Sequence, residues 1–184
     1  MEKKLYKLIN SENKSCNGGS FDWAAYLPKD GQPGEWTPAV KGELIACENG
    51  YHGCDAKHIL DWANEQLFEA EAEEVIWDDD KFACRRMRLV RKIEAWNQKN
   101  LRLFACWCVR QIWHLLTDER SKNAVEIAEK FANGEATKEE LAAARDAAWA
   151  AARDAARDAA RDAARDAAWD AQNKHLREML ELME

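Results

Sequence analysis

The sequence predicts an α+β fold: a small, mainly antiparallel sheet domain with one or two packed helices, followed by a helical C-terminal half that ends in a long alanine-rich helix. Three observations predict it. LFEAEAEE (67–74) and FACRRMRLVRKI (82–93) alternate in the period of two that a half-buried strand requires. After Trp96 the apolar residues recur every three or four positions. From residue 144 an Arg-Asp-Ala-Ala unit repeats, and no glycine or proline follows Gly134. The expected organisation is an α+β domain over 1–96, two packed helices over 97–135 and a repeat helix over 137–184.

KKLYKLI (3–9) reads as a first strand. The stretch 28–38 holds all three prolines and is a loop. KGELIAC (41–47) is expected to be a second strand, and Asp55 to cap a helix burying Ile59, Trp62 and Ala63. In the hairpin of 67–74 and 82–93, Glu69, Glu71 and Glu73 face Arg86, Arg88 and Lys92, each pair contributing roughly 0.2–1 kcal/mol. Leu101, Phe104, Ala105, Cys108, Ile112, Leu115 and Leu116, widened by Cys106, Val109 and Trp113, predict a buried helix. Asp118 opens the next helix and Asn133-Gly134 closes it. Thr137 with Glu140 forms a capping box for the last helix.

That last helix, from Thr137 to about Leu182, would be a rod of about 69 Å. Trp149, Arg153, Arg157, Arg161, Arg165 and Trp169 share a four-residue spacing. Four exceeds 3.6, so the stripe turns by about 40° per unit and the two tryptophans face nearly opposite ways. Each Asp precedes the next Arg by three residues, a favourable pairing, while the same repeat stacks like charges four apart. These six residues form the candidate interaction surface. The rod is read as a spacer or as an arm for self-association or a protein partner; an ice-binding face is disfavoured because charges interrupt any flat apolar surface.

Net charge is −7, with 14 basic and 18 acidic groups in residues 1–100 and 13 and 16 in the rest. Neither half is basic enough to track a phosphate backbone, so nucleic acid is disfavoured. No apolar run reaches membrane-spanning length, and MEKKLYKLIN lacks a signal-peptide core. The expected location is cytoplasmic, with the six cysteines as thiols. Nine tryptophans favour a packed domain with a partner surface. Cys47-x4-His52-x-Cys54 matches no closed zinc site, even with Cys16 or His58 as a fourth ligand, so no metal and no cofactor are expected. No phosphate-binding loop, nucleophile elbow or dinucleotide fingerprint is present, and no catalytic residue is assigned.

Two resemblances bear on function. The order of strand LYKLI, a Gly/Trp-rich loop, a short strand ending Gly50-Tyr51-His52, a capped helix and strand LFEAEAE resembles the core of ADP-ribosyltransferase-like folds. That resemblance implies a nucleotide or NAD pocket with Tyr51 and His52 near the ligand and Glu69 or Glu71 as the acid. Such enzymes place His or Arg on the first strand, where this chain has Tyr6-Lys7. The candidate ligand residues are therefore Lys7, Trp23, Tyr51, His52, Glu69 and Glu71. The second resemblance is broader. YKLIN, the GEW-P loop, CENGYHGC, ILDW, DDDKFACRRMRLVRKIEAWN and LRLFACWC resemble a family of uncharacterised bacterial and phage proteins over about residues 5–108. The segment from RLFACWC to ELAAAR is similar to a helical segment often followed by alanine-rich repeats. A phage or mobile-element background is implied, without an activity. The function expected first is a non-enzymatic cytoplasmic binding protein that interferes with a host protein or nucleotide signal; the second is an ADP-ribosyltransferase-like enzyme.

Overall fold

A computed structural model describes residues 3–179, with side chains through Asp166. The chain forms two units, Met1–Gln98 and Lys99–Glu184. The first is a four-stranded antiparallel sheet closed into a barrel, with β1 (Leu5–Ile9), β2 (Tyr51–Asp55), β3 (Gln66–Trp77) and β4 (Phe82–Lys92) in the order β1-β2-β4-β3. Closure leaves β1 paired on both sides, with Tyr6 opposite Cys54 of β2 and Glu69 of β3. Ile9, Trp23, Phe82, Cys84, Met87 and Leu89 fill the interior at 0% exposure, so the barrel is a packed core and not a channel. A smaller cluster of Leu8, Cys54 and Leu67 lies outside it, under Ile59, Trp62 and Trp96.

The long hairpin follows the alternation of its sequence. Arg86 pairs with Glu73 at 3.6 Å, Arg88 with Glu71 at 2.6 Å and Arg91, not Lys92, with Glu69 at 2.6 Å. A bulge causes the exchange: Ala70 opposes Leu89 and Glu69 opposes Arg91, so Val90 is the extra residue and the last cation of the row moves by one. Lys92 instead donates to Gln66 Oε1.

Two expected elements of this unit are absent. Residues 41–47 are a loop, with Gly42 and Cys47 at φ 82° and 67° and a lone bridge between Ile45 and Asn49. The Asn49 amide donates to the Lys41 and Glu43 carbonyls and fixes the chain as a tight loop, so its apolar alternation has no neighbour strand to meet. The predicted helix after Asp55 is also missing. Asp55 ends β2, its carboxylate accepts from the Lys57 N–H and contacts His58, and the chain passes to β3 through short turns. The strap at 34–40 holds a place that the sequence assigned to a loop. Gly34, Thr37 and Val40 donate N–H bonds to Leu89, Met87 and Arg85, covering the part of the β4 edge that β2 leaves free. Pro33 precedes the first of those donors and Pro38 lies between the last two, which keeps the strap from becoming a regular strand.

The second unit holds α1 (Gln98–Gln111), α2 (Glu119–Asn133) and α3 (Lys138–Met179). Asp118 accepts from the Arg120 N–H at the start of α2, and Gly134 closes it at φ 81° with its N–H on the Lys130 and Phe131 carbonyls. The capping box is formed reciprocally. Glu140 N–H donates to Thr137 Oγ1 at 3.1 Å, and Thr137 N–H donates to Glu140 Oε2 at 2.7 Å. At 42 residues α3 is about 63 Å long and unbroken. Its first turns pack on α2, burying Ala144 and Ala151, and Arg120 of α2 ties down Asp154 at 3.1 Å. From Ala152 to Asp166 its side chains are exposed.

The expectation that α1 is a buried helix is overturned. Its one buried residue is Cys106, while Phe104, Trp107, Ile112 and Leu115 are 43–63% exposed along α1 and the turn that follows it. The apolar residues span more of the circumference than α2 covers. Contact with α2 runs through Cys106 near the Val125 carbonyl, the Arg110–Glu129 bidentate pair and Arg102 over the Phe131 ring.

Candidate functional site

The barrel gathers four of the six candidate ligand residues. Lys7 shares its strand face with Leu5 and Ile9, and this places an amine inside the barrel at 8% exposure. Its Nζ donates to the His52 carbonyl at 2.8 Å and lies 5.4 Å from the Trp23 ring. Burial lowers its pKa to about 8. Trp23 is fully buried, donates its indole N–H to Ser15 Oγ and packs edge-on against Phe21 and Tyr51. Tyr51 donates its hydroxyl to the Pro38 carbonyl. His52 Nε2 accepts the Cys47 N–H at 2.9 Å, and burial lowers its pKa. The polar group of each of these residues is thus bonded to the protein itself.

Glu69 and Glu71 do not join them. Glu69 is held by Arg91 and Glu71 by Arg88, on the opposite face of β3 from core residues Phe68 and Ala70. The helix after Asp55 in the ADP-ribosyltransferase-like order is absent, and the short strand of that order begins at Tyr51 instead of ending at His52. The cysteines near His52 are equally plain. Cys54 and Cys84 are buried thiols whose pKa values burial pushes up to about 12, and all six cysteines are free. Among the described residues, no three His, Cys, Asp or Glu side chains gather as a metal site would require.

The larger of two concave surfaces described lies on the helical unit; the other, on the barrel unit, is lined by Glu43, Glu74 and Arg85 with Leu44, Val75 and Ile76. A groove of about 690 Å³ runs along the first four turns of α3. Ala124 and Ala128 of α2 line one wall, and Leu141, Ala142, Ala148, Trp149 and Ala152 of α3 line the other. Arg102 of α1 and Lys138 and Arg145 of α3 add three cations, and no carboxylate lines it. Trp149 is 65% exposed at its edge. Among the described residues Arg145 approaches its neighbour Asp146 alone, at 3.8 Å, with both side chains over 70% exposed, so this contact holds its charge weakly.

Trp149 is the member of the predicted interaction stripe that reaches the groove. The described charges beyond it sit on the exposed rod, where Arg161 meets Asp158 at 3.6 Å and Arg165 meets Asp162 at 3.4 Å. Trp169 lies on α3, but its side chain falls outside the described residues. Sequence reasoning missed Arg102, Lys138, Leu141 and Arg145. A signal existed for one of them: Arg145 sits one four-residue step before Trp149, in phase with the stripe.

No protein-family model, curated protein or solved structure matches the chain. Among the described residues no helix is long and apolar enough to cross a membrane.

Proposed function

We propose that the chain is a non-enzymatic protein-binding molecule in which the barrel is a rigid base and the helical unit is the recognition element. The observation that carries this reading is the groove: apolar, about 690 Å³, edged by an exposed tryptophan and three cations, with no acidic lining residue. Alanine walls allow a helix backbone to approach closely, Trp149 supplies an anchor, and Arg102, Lys138 and Arg145 select a carboxylate-bearing partner. The reading includes a cytoplasmic setting, in which six free thiols stay reduced. In the phage or mobile-element setting implied by CENGYHGC and RLFACWC, the partner is a host protein.

The test uses the whole chain and synthetic amphipathic helices with one leucine stripe. A peptide flanked by glutamates binds, and its lysine-flanked counterpart binds at least about tenfold more weakly. Leu141→Glu removes the binding and leaves the melting temperature in place. Equal affinity for both peptides, or none for either, counts against the reading. In parallel, incubation with NAD releases no nicotinamide; release would move the function to the barrel.

A further inference from the structure

We infer that the groove takes a partner helix of heptad pattern, with an apolar stripe and two carboxylates seven residues apart set against Lys138 and Arg145. This rests on the reading above, that the groove binds an acidic amphipathic helix, and it names the class of that helix.

The residues that α3 gives to the groove fall in rows with an interval of seven. Lys138, Arg145 and Ala152 form the middle row, with Leu141 and Ala148 on its inner side. Ala142 and Trp149 form the outer row. Ala144 and Ala151, buried where α3 packs on α2, repeat the same interval. Seven residues bring a helix round to within about 20° of its starting direction, so such rows run nearly along the axis. At about 100° per residue the four rows succeed one another in steps of about 50°, from the α2 contact outward. One row packs on α2 and the other three face the groove. Seven is also the interval at which the helices of a left-handed coiled coil meet.

The groove ends where that interval ends. From Arg153 the arginines recur every four residues, and each step turns their row by about 40°. The α2 wall stops at the same level, with Arg120 of its first turn on Asp154. A partner therefore has about 21 Å of axis, two heptads, in which to be recognised. Charge fixes its position there. Lys138 and Arg145 stand about 10.5 Å apart along the axis. Arg102 lies 4.8 Å from the ring of Phe131 in the last turn of α2, so it joins Lys138 at one end, while Trp149 and Ala152 leave the other end apolar. Carboxylates seven residues apart on a partner helix meet both cations of the middle row. Carboxylates four apart span about 6 Å and diverge by about 40°, so the second no longer faces Arg145 when the first faces Lys138.

Calorimetric titration of the full chain tests this with two synthetic helices of one composition and matched helicity. Both carry a leucine stripe and two glutamates, spaced seven residues apart in one and four in the other. The seven-spaced helix binds at least about fivefold more tightly. Arg145→Glu, with the fold verified by circular dichroism, weakens its binding at least about tenfold. Lysine in place of one of the two glutamates restores binding to that variant to within about threefold, and the position that does so reads the direction of the partner. Equal affinity for the two spacings overturns the heptad assignment, as does a failure of lysine to rescue at either position. If both acidic helices bind alike and the lysine-flanked one does not, the groove reading stands without the heptad rule. If no helix binds, both readings fall.

Discussion

Lys7 carries a charge into the barrel, and its removal has a calculable and pH-dependent effect. The folded pKa of about 8 lies below the ordinary 10.5, so the unfolded chain binds the proton more tightly. The gap corresponds to about 3 kcal/mol of destabilisation, fully present at pH 7 and relieved as pH rises from about 8 through 10.5. Lys7→Met keeps the length of the side chain and removes that cost. It also leaves the buried His52 carbonyl without its 2.8 Å donor, at roughly 1–2 kcal/mol, and forfeits a weak contact with the Trp23 face. The net expectation is a gain of about 1 kcal/mol at pH 7, turning into a loss of about 2 kcal/mol near pH 10.5.

The assay is urea unfolding of both proteins at pH 6.5, 8, 9.5 and 10.5, followed by tryptophan fluorescence. Cys54 and Cys84 work in the opposite direction over the alkaline part of this range. Burial holds their folded pKa values near 12, so folding loses stability once the unfolded thiols ionise. Both cysteines are common to the two proteins and each feels the Lys7 charge, so the difference between curves reports Lys7 together with its coupling to the two thiols. A difference that stays flat from pH 7 to 10.5 would refute the reasoning, because it would mean that the amine titrates normally and that water reaches it.

Two further outcomes test the barrel. Glu71→Lys and Arg88→Glu, combined in a double-mutant cycle, should show a coupling of about 0.5 kcal/mol, small because both side chains are about a third or more exposed; zero coupling would remove the cross-strand pair from the account. Gly53→Ala should destabilise the unit by about 2 kcal/mol or more in thermal melts, since a Cβ there would sit 2.5 Å from the Tyr6 carbonyl oxygen and 2.6 Å from the Phe82 ring, within the β1–β2–β4 seam; an unchanged melting temperature would mean that β1 and β2 are not so close.

The elements that could be read from the sequence are those specified by their own residues. The hairpin needed only the alternation of 67–74 and 82–93, and α2 and α3 carry their boundaries in Asp118, Gly134, Thr137 and Glu140. What escaped was set by neighbours distant in the chain. Val90 becomes a bulge because the barrel closes, and nothing in its local pattern marks it. Leu44 and Ile45 alternate like a strand, but β2 and the 34–40 strap already occupy the edge of β4. The stripe on α1 reads as buried because hydrophobicity reports the wish to be covered and not the presence of a cover. The groove escaped for a related reason: Ala124, Ala128, Ala148 and Ala152 are unremarkable singly and form a concavity only when α2 meets α3.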